Sequence, residues 1–242
     1  MVVMTTATQH RTSRIGTTAS TTEPKWERRA AATGVVAAAC MLGSYVALNL
    51  SSAPDSAAGQ AAWYAKDGHR AALWVSWYLV ALGAVFSVWF LATVRTVVRR
   101  AEGAEGRLAS TAYGAGLLSV ALFVVGSVAM TPVASELIGD KAFRYDPALD
   151  YHLSQLAGSV SYLTLASAGI LAAGLLGAVA VATLRTGLYP RWFGIAGAVG
   201  AGLLVLTPFL GLLPVLLIPV WTIAASILTM RLVGRPAHID LG

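Results

Sequence analysis

A chain of 242 residues that is 57% hydrophobic and only 12% charged carries about half the charge of a soluble domain, and its mean hydropathy is +0.69. This deficit, spread over several long uncharged runs, excludes an ordinary soluble enzyme and marks a polytopic membrane protein. The net charge of +6 and pI near 9.8 would suggest nucleic acid on a soluble chain. Here a basic excess on one side of a bilayer accounts for them, and no nucleic-acid partner is expected.

Residues 1–25 are Thr-rich and polar and read as a disordered cytoplasmic tail. They contain no signal-peptide core, and the first apolar run is too long and too late to be one. Lys25, Trp26, Arg28 and Arg29 then mark a membrane edge. The first predicted span covers about residues 31–50, the second 71–94 and the third 108–130. A polar stretch over 51–70 separates the first two spans, and a water-side loop over 95–107 follows the second. The longest loop, 131–155, leads to a fourth span over 156–184.

Residues 193–230 are almost wholly apolar, too long for one crossing of about 30 Å at about 1.5 Å per residue. Leu210-Gly-Leu-Leu-Pro214 supplies the break, since Pro donates no backbone hydrogen bond and disfavours αR before it. The fifth and sixth spans are therefore placed at about 193–210 and 214–231 as antiparallel neighbours, with Pro219 positioned to kink the sixth. The expected fold is all-α: a polytopic bundle of six transmembrane helices arranged as three hairpins. The transmembrane domain is drawn at 26–232, with a cytoplasmic tail over 233–242.

Orientation follows from the basic residues. With the N-terminus inside, the inner segments hold 13 of the 17 lysines and arginines and the outer loops hold four. That asymmetry puts both termini in the cytoplasm of a plasma-membrane protein.

Each even-numbered span leaves the membrane alike: Ala92-Thr-Val-Arg95, Ala182-Thr-Leu-Arg185 and Leu228-Thr-Met-Arg231. Arg at a helix C-terminus complements the dipole and snorkels to phosphate headgroups. Duplicated hairpins would produce such a repeat, and so would repeated use of an inexpensive anchor, the plainer reading. Small residues recur every fourth position at Ala39/Gly43/Ala47, Gly169/Ala173/Gly177 and Gly194/Ala198/Gly202. They suit close packing within the bundle, or a second copy or another membrane partner.

No Asp, Glu, Lys, Arg or His falls in the centre of any predicted span. That argues against a proton-driven pump or a cation antiporter. Motifs for ATP hydrolysis and intramembrane proteolysis are missing as well, so the chain reads as more plausibly non-enzymatic, with no cofactor. The single cysteine, Cys40, lies in an apolar run, which excludes an intramolecular disulfide. Hydroxyls remain as polar groups inside the spans; Ser159, Thr164 and Thr207 are the residues expected to line a transport cavity, if one exists.

The outer loops carry one constellation. Asp67-Gly-His69 precedes the second span, and Asp146-Pro-Ala-Leu-Asp150-Tyr-His152 precedes the fourth. Asp67, His69, Asp150 and His152 are the candidate metal ligands, a set that would suit Zn²⁺ with a bound water in a hydrolase. Their spacing matches no specific metal motif, and solvated loop charge is the plainer reading.

The most distinctive stretch is the hinge Arg185-Thr-Gly-Leu-Tyr-Pro-Arg-Trp192, continued by Phe193 and Gly194. Its arginines are expected to anchor it inside, with Tyr189 and Trp192 at headgroup level. Through Arg185, Gly187, Leu188, Pro190, Arg191, Trp192 and Gly194 it resembles the fourth-to-fifth helix junction of an uncharacterised bacterial family of six-helix integral membrane proteins with a domain of unknown function. The resemblance implies six helices and no activity. Three readings stay open: a non-enzymatic structural, regulatory or outer-surface sensing protein, a small-molecule transporter, and a metal-dependent hydrolase.

Overall fold

A computed structural model describes residues 23–50, 56, 59, 63, 66–103, 105–129, 147–210 and 216–233. Residues 1–22 of the expected 1–25 tail, residues 234–242 of the expected 233–242 tail, and most of the expected loops at 51–70 and 131–155 lie outside the described residues. Those described form seven helices and no strand: α1 Glu23–Leu50, α2 Asp67–Glu102, α3 Arg107–Ala129, α4 Pro147–Thr186, α5 Arg191–Val205, α6 Thr207–Leu210 and α7 Leu217–Val233. Four of them, α1 to α4, are long and apolar enough to cross a membrane. α5 and α7 are shorter apolar helices of 15 and 17 residues.

Several boundaries differ from the sequence reading, each for a local reason. α2 does not stop at Val94 but continues to Glu102, so the expected 95–107 loop shrinks to a turn. The turn is set by two glycines in the left-handed region, Gly103 at φ 80° and Gly106 at φ 59°. Gly103 N–H caps the Arg99 carbonyl at 3.1 Å. The Glu102 carboxylate then accepts the N–H groups of Leu108 and Ala109 at 2.9 and 2.8 Å. The end of α2 thus satisfies two of the orphan donors that open α3.

The fourth span starts near Leu156 as expected, at Gln155, but its helix α4 begins earlier, at Pro147. Proline suits a first helical position, where its missing N–H costs nothing. The apolar run after the hinge already breaks at Leu206, and the expected break at Leu210–Pro214 lies, from residue 211 on, outside the described residues. Pro208 cannot donate to the Leu204 carbonyl, and the Thr207 hydroxyl takes that carbonyl instead at 2.6 Å. Pro219 is the third residue of α7. It sits in the first turn, where no acceptor is lost, so the expected kink has no cause there.

The helices pack in chain order: α1 on α2, α2 on α3, α3 on α4, and α4 on α5. α7 then lies along α1 instead of packing closely on α5. Large side chains bridge α5 and the hinge before it to α7: Phe193 stacks on Trp221 at 5.6 Å, and the Tyr189 hydroxyl meets Thr229. The last hairpin is therefore splayed, and its second arm closes the bundle against the first helix.

α4 is the most enclosed span, with 67% of its most apolar window buried against 22–33% for the other three. Small residues allow this. A Cβ on Gly126 would come within 2.8 Å of Leu165 Cγ, and one on Gly174 within 3.1 Å of Ala115 Cβ. Serine hydroxyls fasten the same contacts: Ser161 donates to the Gly126 carbonyl at 2.7 Å and Ser119 to the Ala168 carbonyl at 2.8 Å. Of the expected small-residue stripes, Gly169/Ala173/Gly177 is used inside the bundle, with Gly169 against Thr207. On α5 the buried positions are Gly194 and Gly197, whereas Ala198 and Gly202 face outward.

Candidate functional site

The bundle interior has two halves. Towards the end that carries the arginines, the space is filled. Val94, Val98, Ala109, Ala112, Leu176 and Val179 are all 1% exposed or less and join one core with Tyr189 and Phe193. The other half holds a cavity of about 110 Å³ between α1, α2, α3, α4 and the start of α7.

Seven hydroxyl residues line it: Ser44, Tyr45, Ser76, Ser87, Ser119, Ser127 and Thr222. Met41, Val80, Phe90, Phe123 and Ala172 supply apolar wall, and no Asp, Glu, Lys, Arg or His takes part. The hydroxyl protons are largely committed. Ser44 donates to the Met41 carbonyl, Ser76 to Ser44, Ser87 to Gly83, Ser119 to Ala168 and Ser127 to Phe123, at 2.7–3.1 Å. A serine has one proton and two lone pairs, so these five can offer the cavity only acceptor capacity. The site suits a small, neutral, mostly apolar molecule with a single donor group. No charged side chain reaches it.

The residues expected to line a transport cavity are elsewhere. Ser159 is exposed and donates to the Gln155 carbonyl, Thr164 donates to the Val160 carbonyl, and Thr207 serves Leu204. Which hydroxyls face inward depends on the rotation of each helix about its axis. Neither lipid nor core demands polar groups, so apolar periodicity carries little of that information.

The metal candidates fall within the first two turns of two helices and not in loops: Asp67 and His69 in α2, Asp150 and His152 in α4. His69 stacks on Trp63 with ring centroids 3.8 Å apart, and Lys66 Nζ lies 5.8 Å over the same indole. His152 is exposed. The side chains of Asp67 and Asp150 lie outside the described residues. Among those described, no group of three His, Cys, Asp or Glu side chains could hold a metal ion.

The hinge is more than an anchor. Gly187, at φ 67°, ends α4 by donating to the Thr183 carbonyl at 2.9 Å, the left-handed cap that glycine favours. Trp192 is 59% exposed, but Tyr189 is only 3% exposed, so the expected pair of interfacial aromatics is split. Tyr189 turns inward because Phe193 packs edge-on to it at 5.3 Å and Thr229 of α7 meets its hydroxyl at 2.7 Å. The repeated threonines occupy three different environments. Thr93 bonds back to Trp89, Thr229 joins Ala225 to Tyr189, and Thr183 is buried without a partner for its hydroxyl. No protein-family model, curated protein or solved structure matches the chain, and none bears on the resemblance of its hinge.

Proposed function

We propose that this is a non-enzymatic integral membrane protein of six spans, with both termini cytoplasmic, that binds a small neutral molecule in the cavity between α1, α2, α3, α4 and α7. The observation that carries the reading is the ring of hydroxyls, five of which spend their protons on backbone carbonyls, around an otherwise apolar space. The filled half beneath it favours a binding or sensing site over an open path.

Packing supports the six-span arrangement. α7 runs beside α1 and α5 beside α4, each next to a helix long enough to span. α2 carries aromatic groups at two levels: Trp74, Trp77 and Tyr78 pack on one another near its start, and Trp89 meets Trp26 at 5.9 Å. Trp74 and Trp89 are about 22 Å apart along the axis, the spacing of two interfacial belts.

The cavity is smaller than an apolar cavity of about 150 Å³ that binds benzene, so single-ring probes set the upper size. In thermal unfolding of the purified full chain in neutral detergent, phenol should raise Tm more than benzene does, and benzoate should have no effect. Ala172→Leu, which fills the cavity wall, should remove both shifts. Equal shifts in that variant, or none in the parent protein, would overturn the reading.

One observation favours a carrier instead: the hydroxyls come from several helices, as in a site that reshapes during transport. That reading requires the core around Val94 and Val98 to open. It predicts flux of the bound probe into proteoliposomes, where simple binding predicts none.

A further inference from the structure

A second site lies on the outside of the bundle at its arginine end, and it needs only that the chain sits in a bilayer. An apolar groove of about 530 Å³ runs between the start of α1 and the end of α2, walled by Trp26, Val88, Trp89, Ala92 and Val233. A polar groove of about 490 Å³ lies beside it, walled by Arg95, Arg99, Arg100 and Tyr113. The two share Ala92, Thr96 and Arg100. They therefore form one continuous surface, apolar towards the membrane centre and cationic towards its edge.

The cations are positioned, not merely present. The Arg95 guanidinium stands over the Tyr113 ring at 5.3 Å, which fixes it while leaving N–H groups to donate. The stem of Arg99 lies near Gly106 in the turn between α2 and α3. Arg100 is held by Glu27 through two hydrogen bonds of 2.7 and 3.1 Å. Three guanidinium groups and one carboxylate leave an excess of two positive charges. Arg95 and Arg99 meet no carboxylate among the described residues. They are one helical turn apart, a rise of about 6 Å.

We propose that this surface binds an anionic phospholipid bearing two phosphodiester groups, such as a diphosphatidylglycerol. Its phosphates lie on Arg95 and Arg99, and an acyl chain lies along the groove that Trp26, Val88, Trp89 and Val233 wall. Two uncompensated arginines one turn apart fit two linked phosphates better than a single one. The adjoining apolar groove selects an amphiphile over a free phosphate. Glu27 lowers the site's charge by holding Arg100.

The test is a native mass-spectrometric titration of the full chain in neutral detergent with diphosphatidylglycerol, phosphatidylglycerol and phosphatidylcholine. The two-phosphate lipid should bind most tightly. Arg95→Gln with Arg99→Gln should weaken it about thirtyfold. The double change Arg185→Gln with Arg191→Gln, equal in charge at the hinge, should leave binding within about twofold. Glu27→Gln, which frees Arg100, should strengthen binding, whereas a purely structural role for Glu27 would weaken it. Loss of affinity with the hinge variant equal to that with the α2 variant would overturn the site in favour of diffuse surface charge. Equal affinity for phosphatidylglycerol would overturn the two-phosphate assignment. Displacement of the lipid by an equal concentration of inorganic pyrophosphate would overturn the amphiphile in favour of free phosphate.

Discussion

The Tyr189 hydroxyl donates to Thr229 Oγ1 across 2.7 Å, tying the hinge between α4 and α5 to the last helix. The direction follows from counting protons. Thr229 has one, already given to the Ala225 carbonyl at 2.7 Å, so only the phenol can donate between the two. Tyr189→Phe removes this bond but leaves Thr229 satisfied by its own helix. It should cost about 1 kcal/mol, the net worth of one hydrogen bond. Tyr189→Ala also empties the space beside Phe193 and should cost about 3–5 kcal/mol. Denaturant unfolding in detergent, followed by tryptophan fluorescence, would check both. Equal costs for the two variants would place the ring outside the core.

The same phenol sets a pH dependence. Burial pushes the Tyr189 pKa up from its ordinary value, and the Thr229 hydrogen bond pulls it partway back. A phenol protonated more firmly in the folded state contributes stability that is complete below its unfolded pKa of about 10 and lost as pH rises through the folded value. To serve a phenolate, Thr229 would have to give up the Ala225 carbonyl. Tm should therefore hold steady as this group is approached from neutral pH and fall above about pH 10. The fall should be smaller in Tyr189→Phe. An identical alkaline slope in the two proteins would refute the assignment.

Glu102 offers a separate check on how the first two hairpins join. Its two oxygens accept from Leu108 and Ala109, so Glu102→Ala strips the start of α3 of a cap supplied from the end of α2. A loss of about 1 kcal/mol is expected, with Glu102→Gln retaining part of it through one remaining acceptor. Hydrogen exchange should quicken at Leu108 and Ala109 and not at the far end of α3.

How much of this was legible in the sequence depends on the distance over which each feature is decided. The third span was expected at 108–130 and lies at Arg107–Ala129, because both boundaries are set by neighbouring residues. The second and fourth spans start where expected, near Ala71 and Gln155, but their helices run on to Glu102 and back to Pro147, because a composition boundary marks only where apolar residues stop. A helix continues past that point as long as its backbone bonds are satisfied, as α2 does through Arg95, Arg99 and Arg100 to Gly103. Tyr189 read as interfacial because Trp192 and two arginines flank it, but its burial is decided by Thr229, forty residues along the chain. The cavity serines were visible as span hydroxyls and not as a set, because helix rotation brings them together and apolar faces on both sides conceal it.

Glycines separate tight contacts from open ones. At Gly126 an added Cβ would press on Leu165 Cγ at 2.8 Å and on its backbone N at 3.3 Å, beside the carbonyl that Ser161 engages. Gly126→Ala should therefore destabilise by about 1–3 kcal/mol as α3 and α4 are forced apart. Gly202→Ala meets nothing within 4 Å and replaces a poor helix former, so it should stabilise by up to about 1 kcal/mol. Thermal unfolding of the two variants side by side would decide it, and a shift of the same sign in both would contradict this packing.

The placement of α5 to α7 carries the sharpest structural prediction. α5 alone has 15 residues, about 22 Å of helix, and reaches about 30 Å only if α6 continues it past the break at Leu206. α7 adds 17 residues beside α1 and carries Arg231 in its last turn. If all three complete a last hairpin through the bilayer, Gly211 lies on the face opposite the hinge. If they rest on the bundle without crossing, Gly211 stays on the hinge side. Cys40 is the only cysteine, so Cys40→Ala provides a background for single labels. A membrane-impermeant maleimide applied to intact cells should then label Gly211→Cys but leave Thr186→Cys unlabelled until the cells are opened. Labelling of both positions only after opening would reduce the protein to four spans, with α5 to α7 on the inner side.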